Sequence, residues 1–232
     1  MKKIASLLIL FLMVPCAYAD LLILPVINEA PKEMHETVEK GNFSMNISYP
    51  KFWANSVDYI ISRYINSVRN DYLASAKALF SEEDMGDYTP HASLDISYSI
   101  VNDAGDILSI VFSGYTYLWW AHGSPYTKTF NFRKSSGNLI LVQDTKTLER
   151  VAKVVRPALQ KYLYPIEMSD DSWIAEGTEP TLGNYENYSF KTDENGKVES
   201  VTFYFGAYQV AAYAAGMPSV TLYKNGKVEV NE

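Results

Sequence analysis

Four short glycine-containing clusters punctuate this chain: Asn102-Asp103-Ala104-Gly105-Asp106, Lys134-Ser135-Ser136-Gly137-Asn138, Asp193-Glu194-Asn195-Gly196-Lys197 and Lys224-Asn225-Gly226-Lys227. Each lies between two runs rich in β-branched and aromatic residues. Glycine and asparagine reach the positive-φ conformations that tight hairpins need, so the pattern reads as strand, turn, strand. The expected pairs are 93–101 with 107–119, 127–133 with 139–142, 185–192 with 198–205, and 219–223 with 228–230. A chain punctuated in this way is committed to antiparallel sheet, and its helices must pack on that sheet.

Helical periodicity occurs twice. Trp53, Val57, Ile60, Ile61, Tyr64, Ile65, Val68 and Tyr72 recur at three–four spacing, predicting an amphipathic helix over about residues 52–80. Glu82-Glu83-Asp84 and Gly86 mark its exit. Just ahead of it, Phe43, Met45, Ile47 and Tyr49 alternate with polar residues as a strand ended by Pro50. A second helix opens at Thr145 or Thr147 as N-cap and aligns Leu148, Val151, Val154, Val155, Leu159 and Leu163. Pro157 falls inside it and is expected to bend or divide it. Residues 165–185 read as a loop with at most one helical turn, and residues 25–40 as a loosely held lead-in. The fold class is α+β: antiparallel β-sheet packed against two main α-helices, hairpin-rich.

The first nineteen residues have the form of an export leader. Lys2-Lys3 give the basic start, residues 4–14 the apolar stretch, and Ala17-Tyr18-Ala19 a small-x-small cleavage site before Asp20. Cys16 admits a lipoprotein reading, but Pro15 stands where lipidation wants a small residue. Cleavage after Ala19 removes the only cysteine, so stability must come from the core, with no disulfide and no thiol chemistry. It also removes Lys2 and Lys3, leaving 18 basic against 27 acidic residues, a net charge near −9. Such a chain repels phosphate backbones, which disfavours nucleic acid, and draws in cationic partners. No membrane span is expected once the leader is removed.

Three blocks carry a family resemblance. Residues 203–216, Phe-Tyr-Phe-Gly-Ala-Tyr-Gln-Val-Ala-Ala-Tyr-Ala-Ala-Gly, are similar to a signature of bacterial extracytoplasmic domains. Ala121-His122-Gly123-Ser124, Phe130-Asn131-Phe132 and Ser136-Gly137-Asn138-Leu139 resemble a second block, although Trp119-Trp120 replaces the usual glycine pair. Ile47-Ser48-Tyr49-Pro50-Lys51-Phe52 with Ile65-Asn66 resembles the opening of the N-terminal partner domain. The family is DUF3298 with its usual partner DUF4163, as in RsiV-like anti-sigma factors and upstream of the catalytic domain in peptidoglycan deacetylases. The resemblance implies a leader over 1–19, a lead-in over 20–40, a DUF4163-like region over 41–120 and a DUF3298-like region over 121–232. It also implies an envelope binding role, in one branch towards lysozyme.

Groups able to do chemistry are sparse. The three histidines, His35, His91 and His122, form no HExxH or other metal-ligand spacing, and no GxSxG elbow or phosphate loop occurs. No cofactor or metal is expected, and the chain is read as no enzyme. The candidate ligand contacts are Tyr115, Tyr117, Trp119 and His122. The first three share one strand face, opposite Phe112, Leu118 and Trp120; exposed, they would stack on sugar or anchor a protein, whereas a covering helix would make them core. His122 is either a contact or a structural histidine that satisfies backbone groups of its turn. Residues 207–216 are read as a buried connector with no ligand site, Tyr208 and Tyr213 filling space beside it. The partner is thus an envelope protein of lysozyme type or a cell-wall glycan.

Overall fold

The computed structural model describes residues 26–80, 91–119, 122–142 and 144–231. Two sheets form, each with its own helix. The first orders β1 (Lys32–Lys40), β2 (Phe43–Lys51), β3 (Ala92–Ala104), β4 (Ile107–Leu118) and β5 (Ser124–Arg133) side by side. The second orders β6 (Tyr188–Thr192), β7 (Val198–Tyr204), β8 (Ser219–Tyr223) and β9 (Val228–Asn231). Helix α1 (Asn55–Phe80) lies on the first sheet and α2 (Thr145–Leu163) on the second, so the α+β expectation holds. One pair, β2 with β3, is parallel, because α1 is the connection between them and a helical crossover returns the chain in the same direction.

Alternation decides which face of each strand is covered. Met45, Ile47, Leu94, Ile96, Ile110, Phe112 and Phe132 point to Val57, Ile61 and Ile65 of α1 and form one core. A second core joins Leu148, Val151, Val155 and Leu159 of α2 to Phe190, Val201, Phe203 and Val220. Burial also holds several phenols neutral. It pushes the hydroxyls of Tyr72 and Tyr126 up to about 12 and raises those of Tyr64, Tyr185 and Tyr188 as well. An unfolded tyrosine ionises near pH 10, so above that the unfolded chain loses protons that the folded one keeps. Stability is therefore complete below about pH 10 and lost as pH climbs towards 12. The melting temperature should hold to about pH 9.5 and then drop, less steeply in Tyr126→Phe; a flat profile to pH 11 would contradict it.

Several expectations need correction. Residues 32–40 are not a loose lead-in but the edge strand β1, paired over its whole length with β2. Charged side chains stand on both of its faces, even on the one where Met34 and Glu36 are half-buried, so no period-two apolar pattern marks it. The first sheet runs across residue 120, since β5 pairs with β4 from Arg133 to Ser124. The 127–133 hairpin is vestigial, with a single bridge between Phe132 and Leu139. Helix α2 is capped by Asp144, whose carboxylate accepts from the Lys146 and Thr147 amides at 3.2 and 3.1 Å. Pro157 does not divide it: Pro157 and Lys153 both face solvent, where water satisfies the carbonyl that proline frees. Residues 165–185 hold a short helix, α3 (Asp171–Gly177). The acidic exit at 82–86 and Trp120 lie outside the described residues.

The halves join through a ladder of buried polar side chains. One edge of β6 has no strand beside it and rests on the outer face of the first sheet. Thr129 Oγ1 accepts from the Tyr188 amide at 2.9 Å, Ser109 Oγ from Phe190 at 3.1 Å and Asn102 Oδ1 from Thr192 at 2.8 Å. Asn131 Nδ2 donates to the Tyr188 carbonyl at 2.7 Å while its Oδ1 accepts from Ser109 Oγ at 2.6 Å. These groups replace the missing strand, so the edge is buried without orphaned amides.

Candidate functional site

At the far end of β4 the aromatic face is open. Tyr115 is 39% and Trp119 37% exposed, and Tyr117 is half-buried on the same strand. Alternation ends at Leu118, because Trp119 leaves the strand with φ 63°. The chain then returns as His122 and Gly123 before β5 begins. A Cβ on Gly123 would stand 2.2 Å from Cζ of Tyr115, so the outer end of the Tyr115 ring sits over the Gly123 backbone.

The second component comes from residues 205–216. Gln209 closes a turn on Gly206, with its side-chain oxygen accepting from the Gly206 amide at 2.9 Å and its own amide donating to the Gly206 carbonyl at 3.0 Å. Its Nε2 donates to the carbonyls of Gly177 and Asn184, fixing the turn to α3. Val210, Ala211 and Ala215 are buried, as a connector requires. Tyr208 is not: it is 50% exposed, with φ 64°. A bulky residue in the left-handed region costs roughly 1–3 kcal/mol and persists only where its surroundings enforce it. Here Trp173 Nε1 donates to the Tyr208 carbonyl at 2.8 Å. Trp173 is held in turn by Asp170, the N-cap of α3, which accepts from the Trp173 amide at 2.8 Å. That amide bond holds the Asp170 carboxyl below its usual range.

These components meet on His122. Its ring stacks on Tyr213 at 4.1 Å between centroids, with 28° between planes. Nδ1 lies 3.0 Å from the Gly123 carbonyl, which can only accept, so Nδ1 carries a proton. In the neutral ring Nε2 then accepts from the Tyr208 hydroxyl at 3.2 Å. Tyr213 donates to the same Gly123 carbonyl at 3.0 Å. The result is a ledge of Tyr115, His122, Tyr208 and Tyr213, made by both halves of the chain and fully engaged with itself. Of the candidates read from sequence, Tyr115 and His122 come together here; Tyr117 lies two residues on along β4, and Trp119 lies just past the strand end. The reading of Tyr208 and Tyr213 as fillers is corrected: both are members of the ledge, brought to His122 from 86 and 91 residues away. The ledge offers π faces, phenols and an imidazole, a set suited to stacking and hydrogen bonding, in which the Tyr208 hydroxyl donates to the His122 ring. Among the described residues no group of three or more His, Cys, Asp or Glu assembles as a metal site. A separate groove of about 330 Å³ runs along β5, lined by Phe130, Leu141, Leu182 and Tyr188, and shares no residue with the ledge.

Residues 138–224 match the family described as a protein of unknown function, DUF3298. The chain carries a DUF3298 domain. Tyr208 and Tyr213 lie within that match and His122 before it, so the domain completes its ledge with a residue from the preceding hairpin. Over 188 residues the chain is 27% identical to the peptidoglycan-N-acetylmuramic acid deacetylase PdaC of Bacillus subtilis (strain 168). That alignment covers 79% of this chain but only 38% of PdaC, so the chain spans less than two fifths of the relative's length. The crystal structure of a DUF3298 family protein from Pseudomonas aeruginosa PAO1 superposes with a TM-score of 0.57 at 16% identity, covering 88% of this chain and 96% of that one. A DUF3298 family member from Bacteroides fragilis NCTC 9343 gives 0.50 at 15% identity, over 83% and 88%. At these identities the likeness establishes the shared DUF3298 fold. No helix among the described residues is long and apolar enough to cross a membrane.

Proposed function

We propose that this protein is an exported, non-catalytic binding module of the cell envelope and that its aromatic ledge receives cell-wall glycan. The observation that carries this reading is the pair Trp119 and Tyr208, exposed aromatics held at positive φ beside the stacked His122 and Tyr213. Tyr208 is half exposed and Trp119 more than a third exposed, on backbones that glycine would adopt more cheaply. Sugar rings present C–H faces and hydroxyls, which aromatic planes and phenols accommodate together. Relation to an enzyme named for a peptidoglycan sugar fits the same ligand class. The leader read at residues 1–19 would deliver the chain to that compartment.

A second reading rests on charge. With its net −7 charge the chain would attract a cationic envelope protein of lysozyme type, and Asp170 and Asp171 stand beside Trp173 at the ledge. Two binding assays separate the readings. On the glycan reading, the protein cosediments with purified sacculi, and Tyr115→Ala or Trp119→Ala lowers the bound fraction about three- to ten-fold, as loss of a stacking partner should. On the charge reading, it is retained on immobilised lysozyme at low salt and released as salt screens the pair. Sacculus binding unchanged in both variants would end the glycan proposal.

A further inference from the structure

A third exposed aromatic shares the unusual backbone of Trp119 and Tyr208. Trp53, between β2 and α1, has φ 61° and is 59% exposed. The Lys51 ammonium sits 4.3 Å from the centre of its ring. One turn into α1, Tyr59 is 63% exposed with the Arg63 guanidinium 6.0 Å from its ring centre. Among the described residues Lys51 and Arg63 enter no ion pair, while Arg69, Lys128, Arg133, Lys134 and Lys227 each do. Of the acidic groups nearby, Glu33, opposite Pro50 on β1, enters no ion pair among the described residues, and others are engaged. Asp58 accepts from the Phe52 amide at 2.8 Å, and Asp103 and Asp106 are neutralised by Lys134 and Arg133. The acidic turn at 193–194 belongs to the second sheet, on the opposite face of the first sheet from α1, with Gly196 against Gly105 at the same end of the β3–β4 pair.

Position in the fold gives this patch a meaning. Ser56 abuts Gly137 in the turn after β5, so Trp53 lies at the Ile107–Arg133 end of the β4–β5 pair. The ledge lies beyond the Thr116–Ser124 end of the same pair. About nine residues of strand separate the two, roughly 30 Å at 3.4 Å per residue. Val26, the first described residue, also lies against Gly137, and the Ile27 amide donates to the Lys134 carbonyl at 3.1 Å. The described chain therefore begins at the Trp53 end, away from the ledge.

We propose that the Trp53–Lys51 and Tyr59–Arg63 patch is a peripheral contact for an anionic lipid surface. Tryptophan and tyrosine favour the polar–apolar boundary of a bilayer, and lysine and arginine beside them are drawn to anionic headgroups. Docked at this end, the chain would present its ledge away from the membrane, where a wall polymer lies. The inference does not depend on what the ledge binds.

The test uses the chain from Asp20 onward, which contains every element of the described fold. It is mixed with vesicles of phosphatidylcholine alone or with 30% phosphatidylglycerol, and the bound fraction is read by sedimentation. Binding should require phosphatidylglycerol and weaken about five-fold for each of Lys51→Glu and Arg63→Glu. Trp53→Gly, which suits the positive φ, should weaken it comparably while the protein still melts cooperatively. No binding, or binding that all three variants retain, would overturn the proposal. Displacement by millimolar glycerol phosphate would also overturn it, because the site would then recognise a phosphate group rather than a surface.

Discussion

Asn131→Leu should lower the melting temperature by on the order of 10 °C, more than any surface change in this protein. Asn131 is 3% exposed and bridges the halves by accepting from Ser109 Oγ and donating to the Tyr188 carbonyl. Leucine has the same branched outline but cannot hydrogen-bond, so it leaves a buried hydroxyl and a buried carbonyl without that partner. Each such group costs about 1–3 kcal/mol, and a kcal/mol shifts the midpoint of a chain this size by about 2–4 °C. Hydrogen exchange at the Phe190 amide should accelerate too, because its acceptor, Ser109 Oγ, is no longer held in place. A midpoint within 2 °C of wild type would mean that the Asn131 rung does not hold the two sheets together.

Gly177→Ala should come next, with a loss of about 2–3 kcal/mol or roughly 5–10 °C. A Cβ on Gly177 would lie 1.9 Å from the Gln209 carbonyl oxygen and 2.8 Å from Cγ1 of Val210. Neither is the free end of a flexible side chain, so the 206–210 turn must retreat from α3. That turn sets the Tyr208 backbone through the Gln209 and Trp173 hydrogen bonds. The variant should therefore lose ligand binding beyond its loss of stability, measured by sedimentation well below its melting midpoint. A wild-type midpoint in thermal denaturation would contradict the close approach of α3 and this turn.

Much of this architecture was legible in the sequence, for physical reasons. Helix α1 and the β3–β4 and β6–β7 hairpins announce themselves because one face of each is buried and the turns demand glycine. Strand β1 does not, since an edge strand polar on both faces carries no alternation. The ledge was half legible. Tyr115 and His122 stood out as an aromatic face and a lone histidine at a turn, but nothing local links them to residues 208 and 213. Tyr208 was misread because positive φ is normally signalled by glycine or asparagine, and here neighbouring hydrogen bonds impose it on tyrosine. The polar ladder was equally silent, because Ser109, Thr129 and Asn131 read as ordinary strand residues until β6 is laid across them.

The central claim is that aromatic side chains are kept on strained, exposed backbone for binding and not for stability. Tyr208→Gly tests it most directly, with melting temperature and sacculus binding measured on the same preparation. Glycine relieves roughly 1–3 kcal/mol of backbone strain and forfeits an exposed hydrogen bond to His122 of about 0.5–1.5 kcal/mol. The expected result is a midpoint at or slightly above wild type together with a loss of binding of at least five-fold. A midpoint lowered by more than about 5 °C with binding per folded molecule unchanged would make Tyr208 a packing residue and contradict the account.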